Sequence, residues 1–346
     1  MFFDDEILRV LQFCLEKKFV VTHEHYNENA NQQKKGGKIK MNINKRLACL
    51  RQNETHVGFH TGNGTTQEDV DLVKANANNI IVNCNVRKVR NKDENETYMR
   101  VNPNKNNNGY ILTEYTTFKK VMQDVFDELG VKDFKWKRID MSFNTMDNKY
   151  YANYTKLNRL LIACIANSTN DKNTYDTKNF WNGKTKSLAT KNQLREVEFY
   201  DKADESNNKS PYYSRLELRS VRMKGDIEHE FLDVWFTRLD NAIEEFEAVQ
   251  DRFNENMAEI YLDDLAKKKH DREFMSINSF LMTRRDYIFT SSQMKKLLML
   301  LGLSKEEAKN KAYNFKKYHT IEYFSREDLE CIVADIKAKM IEYFSK

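Results

Sequence analysis

Three segments of the chain alternate apolar and charged residues with a period of two, which is typical of half-buried β-strands. They are RIDMSFN at 138–144, REVEFYDK at 195–202 and SRLELRS at 214–220. The apolar residues of each segment would face a core, so the charged residues and Tyr200 would share the opposite face if the strands are neighbours. A sheet face that collects carboxylates, arginines and a phenol suggests chemistry on phosphate groups.

The segments around these three strands predict a mixed helix and sheet architecture. Apolar residues recur at helical spacing in 4–18 and 113–130, the segment 153–167 also has a helical character, and β-branched residues are frequent in 79–90. We therefore predict an α+β region with an antiparallel-rich sheet and helices on one face. The predicted strands are 17–26, 54–60, 79–90 and 97–105, and the predicted helices are 4–18, 113–130 and 153–167.

From Gly225 onward the pattern becomes entirely helical. An apolar stripe over 227–265 predicts one long amphipathic helix whose outer face is acidic. The boundary gives two regions, an α+β region at 1–223 and a helical region at 224–346. Residues 1–78 either complete the sheet or form a separate N-terminal subdomain.

A helix–Gly–helix pattern within 290–318 predicts a candidate helix-turn-helix. Gly302 turns the chain, and Ser304 with Glu307 forms a capping box that opens the second helix. A second helix rich in Lys and Asn is typical of recognition of duplex DNA, although a plain three-helix packing module closed by 326–344 explains the same pattern. The predicted DNA-binding residues are Lys305, Lys309, Asn310, Lys311, Asn314, Lys316 and Lys317.

Charge is distributed unevenly along the chain. The 346 residues carry a net charge of +5, which is mildly basic. Residues 31–51 hold seven Lys or Arg and no acid, whereas 226–264 hold thirteen Asp or Glu against two Arg. Binding to a polyanion is therefore expected only at particular surfaces, and the basic run over 34–51 is either a solvated surface or a contact for phosphates.

Cysteine usage and hydropathy predict a cytoplasmic protein. The five cysteines are scattered with no Cys-x-x-Cys pair, so neither a disulfide framework nor a zinc ribbon is indicated. No segment approaches the roughly 18 apolar residues that cross a bilayer, so no membrane partner is expected. The chain has no phosphate-binding Gly-x-x-x-x-Gly-Lys loop, so any ATP-driven unwinding of nucleic acid would need a separate helicase.

Four motifs together resemble the replication initiation factor family, in order and in spacing. They are MRVNPNK at 99–105, RIDMSFN, FYDK at 199–202 and SRLELR. The family comprises the rolling-circle Rep proteins of small Gram-positive plasmids and the related relaxases of conjugative elements. The resemblance covers about 99–235 and implies an enzyme that nicks one strand of origin DNA through a 5′-phosphotyrosyl intermediate.

The resemblance implies a role for particular residues on the three strands. Tyr200 matches the nucleophile, while Asp140 and Glu217 match acidic positions expected to hold Mg²⁺ or Mn²⁺, with Glu198 as a further ligand if it binds the metal. Because a phenol has a pKa near 10, the nucleophile needs cationic neighbours. Lys202, Arg215 and Arg219 are the candidates that would favour the phenolate and stabilise the charge on the phosphate.

Two residues depart from the family pattern, and several alternatives stay open. Asn144 stands where plasmid members carry an acid, and Glu198 stands where they carry an arginine. Tyr200 could instead be an ordinary aromatic on the sheet face, and the acids could pair with arginines across strands. The His23-Glu24-His25 motif is interpreted as a surface pair rather than a metal site.

The predicted function follows from the resemblance. We expect a rolling-circle replication initiator of a plasmid or mobile element that acts on duplex origin DNA and on its extruded single strand, as a homodimer in which each protomer supplies one tyrosine. A conjugative relaxase would use the same chemistry. An origin-binding protein that retains the fold without activity is the alternative from another functional class.

Overall fold

The computed structural model describes most of the chain from residue 47 onward. The described residues are 47–61, 68, 71–72, 75, 81–88, 95–102, 115–128, 134–145, 151–169, 172–173, 187–191, 195–208, 210, 212–223, 226, 229–271, 276–319 and 323–345. The predicted helix at 4–18, the predicted strand at 17–26, the His23-Glu24-His25 motif and most of the basic 34–51 run lie outside them.

An antiparallel sheet of eight strands forms the centre of the fold, with the order β2-β3-β1-β4-β8-β7-β6-β5. The predicted strands within the described residues are confirmed, and the architecture is the predicted α+β class with a helical C-terminal region. The strands are β1 (Leu47–Thr61), β2 (Ile81–Lys88), β3 (Asn95–Val101), β4 (Phe134–Thr145), β5 (Lys172–Asn173), β6 (Ser187–Lys191), β7 (Arg195–Asp201) and β8 (Ser214–Val221).

The three alternating segments form the neighbouring strands β4, β8 and β7. Met141 of β4 lies opposite Leu218 of β8, which in turn lies opposite Val197 of β7, and none of the three is exposed. Because side chains alternate along a strand, this register places all the apolar residues of the three segments on one face. The charged residues consequently share the other face, as the sequence predicts.

Helices cover the apolar face of the sheet and continue beyond it. Leu157, Leu160 and Leu161 of one helix are fully buried, and that helix packs against β6, β7 and β8. The helices are α1 (Tyr115–Glu128), α2 (Tyr151–Thr169), α3 (Lys202–Glu205), α4 (Trp235–Glu244), α5 (Phe246–Asp271), α6 (Ile277–Arg284), α7 (Ser291–Leu300), α8 (Lys305–His319) and α9 (Arg326–Ser345).

The prediction of one continuous helix over 227–265 is wrong. The chain instead forms a π-helical turn at Glu230–Val234, then α4, and then a break at Glu245 before α5. At the break, Asn167 of α2 donates a hydrogen bond of 2.5 Å to the Glu245 carboxylate. Before the break α4 packs on α2, and after it α5 packs on both α2 and α7.

The candidate helix-turn-helix is present as α7, a four-residue connection and α8. Gly302 has a φ of +93°, and the Leu303 N–H donates to the Leu298 carbonyl at 3.2 Å, which closes α7 with a left-handed cap. Ser304 and Glu307 form the predicted capping box, with the Ser304 N–H donating to Glu307 at 2.9 Å. The local signals in the sequence therefore set this connection.

The last helix, α9, joins the sheet rather than closing a module on the helix pair. It packs against β1, the π-helical turn and α4, and its Tyr343 ring lies 5.1 Å from the Tyr115 ring of α1. The pair α7–α8 packs through α7 onto α5. Helical and α+β regions thus share one hydrophobic core. Across the described ranges, no helix is both long enough and apolar enough to cross a membrane.

Candidate active site

One face of the strands β4, β8 and β7 carries three cross-strand rows of polar side chains, and we call it the polar face. Six of the seven predicted catalytic or metal-binding residues lie on it. The rows are Asn144–Arg215–Tyr200, Ser142–Glu217–Glu198 and Asp140–Arg219–Glu196, each written from β4 through β8 to β7. The register therefore gathers residues that are up to 79 positions apart in the sequence (Asp140 to Arg219).

Tyr200 is half-buried, and its hydroxyl donates a hydrogen bond of 2.7 Å to Oε1 of Glu217. Burial raises the pKa of Tyr200 above its ordinary value, the Glu217 carboxylate raises it further, and Arg215 opposes both. Arg215 therefore favours the phenolate, as predicted for a cationic neighbour, but burial and the Glu217 carboxylate outweigh it and the net shift of the Tyr200 pKa is upward. The phenol is protonated on this face.

Arg219 lies at the centre of four carboxylates. Its guanidinium is 2.6 Å from Glu198, 3.5 Å from Asp140 and 3.7 Å from Glu196, and it is also hydrogen-bonded to Glu217. Burial lowers the pKa of Arg219, but the surrounding carboxylates outweigh burial and raise it above its ordinary value. The guanidinium is thus held charged and immobilised by its partners.

Glu217 is almost completely buried, yet it is held as a carboxylate. Burial raises its pKa, whereas the charges of Arg219 and Arg215 and the hydrogen bonds from Tyr200 and Arg219 lower it, and the net shift is downward. The nearest Arg215 nitrogen is 3.6 Å from Oε1, the same oxygen that accepts from Tyr200. Glu217 therefore connects the phenol with two cations.

Asp140 behaves differently from Glu217, although both are buried. The Arg138 side chain binds Asp140 through two hydrogen bonds of 2.7 and 2.8 Å. Burial raises the pKa of Asp140 to about 6, against the opposing effects of Arg138 and Arg219. Asp140 therefore pairs with Arg138 on its own strand and with Arg219 on β8, which is the alternative that the sequence left open.

The predicted metal ligands Asp140, Glu198 and Glu217 do not fit a divalent cation in this arrangement. Their oxygens are of the hard type that Mg²⁺ and Mn²⁺ prefer, but each carboxylate contacts the guanidinium of Arg219 instead. Within the part of the chain that the structure describes, no group of three or more His, Cys, Asp or Glu side chains is arranged to hold a metal ion. The metal remains a prediction from the family resemblance.

Lys202 does not extend the strand of Tyr200 as predicted. Asp201 accepts a hydrogen bond of 2.8 Å from the Asp204 N–H, which caps α3 and ends β7 one residue before Lys202. The ammonium of Lys202 is bonded to Glu205 and lies 5.8 Å from the centre of the Tyr200 ring. Lys202 is thus close to the phenol ring but belongs to a helical turn.

Asn144, Arg138 and Glu196 are part of the site but had no predicted role in it. Asn144 is fully buried, and its Oδ1 accepts a hydrogen bond of 2.8 Å from Nε of Arg215. The alternation within each strand signalled that all three share the face with Tyr200, but only the register between strands shows which partner each one meets.

The predicted DNA-binding residues lie on α8, mostly in solvent. Ala308, Ala312 and Phe315 are buried and attach the helix to the protein, so the opposite side is exposed. Tyr313 and Tyr318 on α8 are 67% and 69% exposed, which sequence analysis did not anticipate. The exposed members of the predicted set are Lys305, Lys309, Asn310, Asn314, Lys316 and Lys317, while Lys311 is half-buried.

Comparisons with known proteins give little beyond these observations. No family model matches the chain, and no curated protein matches it. The chain is similar to the rolling circle replication initiator protein from Geobacillus stearothermophilus, with 10% identity, a TM-score of 0.32, and coverage of 56% of this chain and 84% of that one. It is also similar to the aspartokinase alpha and beta subunits, with 7% identity, a TM-score of 0.17, and coverage of 57% and 99%. Neither likeness is strong enough to carry an argument.

Proposed function

We propose that the protein nicks and rejoins one strand of origin DNA through a tyrosine nucleophile, and that it initiates rolling-circle replication of a plasmid or mobile element. The supporting observation is the Tyr200–Glu217 hydrogen bond of 2.7 Å, made on a face that also holds Arg215 and Arg219. A potential nucleophile, a proton acceptor and two cations then stand together, as transfer of a phosphodiester requires.

The chemical step uses residues that already contact one another. The Tyr200 hydroxyl oxygen attacks the phosphorus, and its proton passes to Oε1 of Glu217. A tyrosine–phosphate bond forms while the bond between phosphorus and the 3′-oxygen breaks, and the 3′-oxygen takes a proton from water. Arg215 and Arg219 stabilise the negative charge that develops on the phosphate. Attack by a 3′-hydroxyl on the phosphotyrosine reverses the step and rejoins a strand.

The arrangement without DNA opposes this proton transfer. The pKa of the Tyr200 phenol is raised and that of Glu217 is lowered, so the proton stays on the phenol. A phosphate that attracts Arg215 or Arg219 would weaken the charges that lower the Glu217 pKa. Glu217 would then become a stronger base than it is without DNA, while a cation still lies beside the phenol. Activity would therefore depend on bound DNA.

Recognition of the origin is assigned to α8 in this proposal. The exposed lysines and asparagines suit contacts with phosphates and base edges in a major groove. The proposed cycle needs a homodimer, because the tyrosine of the second protomer completes the strand transfer that the first tyrosine begins. It also needs a host helicase, because the chain has no phosphate-binding loop for ATP. A conjugative relaxase would use the same residues, and the strand product separates the two roles.

The proposal is tested with a labelled library of single-stranded origin sequences, comparing the wild type with Tyr200→Phe. A covalent protein–DNA band should appear on a denaturing gel for the wild type and be lost in the variant. Parallel reactions with Mn²⁺, Mg²⁺ or EDTA test the predicted metal, which the observed carboxylate arrangement does not favour. A band that persists in Tyr200→Phe would move the chemistry to another tyrosine.

A second candidate function is DNA binding without catalysis. It is favoured by the burial of Tyr200 and by the neutralisation of Glu217 and Glu198 on Arg219. Under this alternative the polar face is a structural network, and α8 performs the function. Unchanged duplex binding in Tyr200→Phe, with no covalent band for the wild type under any metal condition, would favour it.

A further inference from the structure

The four carboxylates of the polar face surround one guanidinium, that of Arg219. Its Nη2 lies 2.6 Å from Glu198 and is also hydrogen-bonded to Glu217. Its Nε lies 3.5 Å from Asp140, and its Nη1 lies 3.7 Å from Glu196. Because these acids come from β4, β8 and β7, all three strands direct carboxylate oxygens toward the same cation.

The position of this guanidinium is the one that a metal ion would need. A hard divalent cation is bound by carboxylate oxygens that converge on it at about 2.0–2.6 Å. On the polar face, Nη2 of Arg219 contacts two of the predicted ligands, Glu198 and Glu217, and Nε lies near the third, Asp140. A metal ion could reach these oxygens only by displacing the guanidinium, because two cations at contact distance repel each other.

Displacement of Arg219 is opposed by its surroundings. Its side chain is only 18% exposed, and its charge is permanent because a guanidinium keeps its proton at any ordinary pH. Two of the acids also accept hydrogen bonds from other residues, since Arg138 donates twice to Asp140 and Tyr200 donates once to Glu217. Moving the guanidinium into solvent would leave four buried or half-buried acids without their shared cation.

We propose that Arg219 is the built-in cation of the polar face and stands where a divalent metal ion would otherwise be held by Asp140, Glu198 and Glu217. While the guanidinium is in place, these carboxylates do not bind Mg²⁺ or Mn²⁺. Removing it converts the same carboxylates into a site for a divalent cation. The inference deepens the proposed function and rests on it for one consequence, that strand transfer by Tyr200 proceeds without added metal.

Binding of Mn²⁺ tests the proposal, because the electron paramagnetic resonance signal of the free ion is lost when a protein binds it. Wild-type protein should leave the signal nearly unchanged. Arg219→Met should bind about one ion per chain, roughly tenfold or more tightly than the wild type, because hard oxygen ligands are released. The control is Lys296→Met, which removes a cation 2.8 Å from Asp251 of α5 and should bind Mn²⁺ like the wild type.

A second substitution locates the site that Arg219→Met creates. Adding Glu198→Gln removes one ligand and should abolish the gained binding. Mn²⁺ should also raise the unfolding temperature of Arg219→Met, whereas the wild type should unfold at the same temperature in Mn²⁺ and in EDTA. Arg219→Gln, which lacks the charge but keeps an amide donor, serves if the methionine variant fails to fold.

Two results would overturn the built-in cation. One is wild-type protein that binds Mn²⁺ and loses this binding in Glu198→Gln, because the carboxylates would then hold a metal beside the guanidinium. The other is a folded Arg219→Met or Arg219→Gln variant that binds no more Mn²⁺ than the wild type.

The covalent adduct assay distinguishes failure of this inference from failure of the proposed function. If the wild type forms the adduct only with added Mn²⁺ or Mg²⁺, the built-in cation is wrong while the strand-transfer chemistry stands. If no adduct forms under any metal condition while Mn²⁺ binding appears only after Arg219 is replaced, the built-in cation stands and the strand-transfer chemistry is wrong.

Discussion

The polar face of the sheet and the exposed side of α8 both carry many charges, but they hold them in opposite ways. On the polar face, Arg219 contacts four carboxylates and is only 18% exposed in its side chain. On α8, Lys309 is 65% exposed and its nearest acid, Glu306, lies 3.8 Å away and is equally solvated. Charges that are buried together depend on one another, whereas solvated charges act singly.

Under the proposed function, this difference gives the two regions different roles. A buried network changes the pKa values of its members when one partner leaves, so it can couple the arrival of DNA to proton transfer. An exposed basic helix contributes attraction to phosphates that salt can screen, and it does so without any change in the protein. The comparison predicts large, cooperative effects for substitutions on the face and small, independent ones on α8.

The largest expected effect is on stability, from Arg219→Met. Removing the guanidinium leaves four acids without their shared cation, so the free energy of unfolding should fall by about 3–5 kcal/mol. The matched control is Lys296→Met, which breaks an exposed ion pair of 2.8 Å with Asp251 and should cost about 1 kcal/mol or less. Urea unfolding measures both, and equal losses would show that the face is not a coupled network.

The second-largest expected effect is a pH dependence of the free energy of unfolding that is caused by Asp140. Its pKa rises from 3.8 in the unfolded reference to about 6 in the fold, so the folded protein binds more protons than the unfolded chain between those values. The wild type should therefore lose stability relative to Asp140→Asn as pH rises from about 4 to about 6, by about 3 kcal/mol in total. Urea unfolding of both proteins across this window gives the difference, and parallel curves would contradict the raised pKa.

The smallest effect is expected from Lys309→Gln combined with Lys316→Gln on α8. The slope of the logarithm of duplex affinity against the logarithm of salt concentration should fall by about 2, roughly one for each lost phosphate contact. Stability should change by no more than about 0.5 kcal/mol, because both side chains are exposed. The same double change at Lys119 and Lys120 of α1 is the control, and an equal change in slope there would remove α8 from DNA binding.

The sequence predicted which residues share a face but not which residues meet. Alternation is a local property, so it assigned Tyr200, Glu217 and Asp140 to one side of their strands before any partner was known. The register of β4, β8 and β7 is a property of the whole sheet, and it alone places Glu217 beside Tyr200 and Asn144 beside Arg215. The geometry of the site could therefore not be predicted from single segments of the sequence.

The errors in prediction share a physical origin. Lys202 leaves the strand because Asp201 caps a helical turn, and Glu245 interrupts a helix whose apolar stripe continues through it. In both places a tertiary or capping contact overrides a periodic pattern that continues in the sequence. The capping box at Ser304 was predicted correctly because all of its partners lie within one turn.

The central claim is that Tyr200 forms the covalent bond with DNA, and mass spectrometry of the trapped adduct tests it most directly. The wild-type adduct is digested with nuclease and then with protease, and the peptide that retains a nucleotide is sequenced. The account predicts the modification on Tyr200, in the peptide that contains β7. A nucleotide on a tyrosine outside the polar face would contradict it.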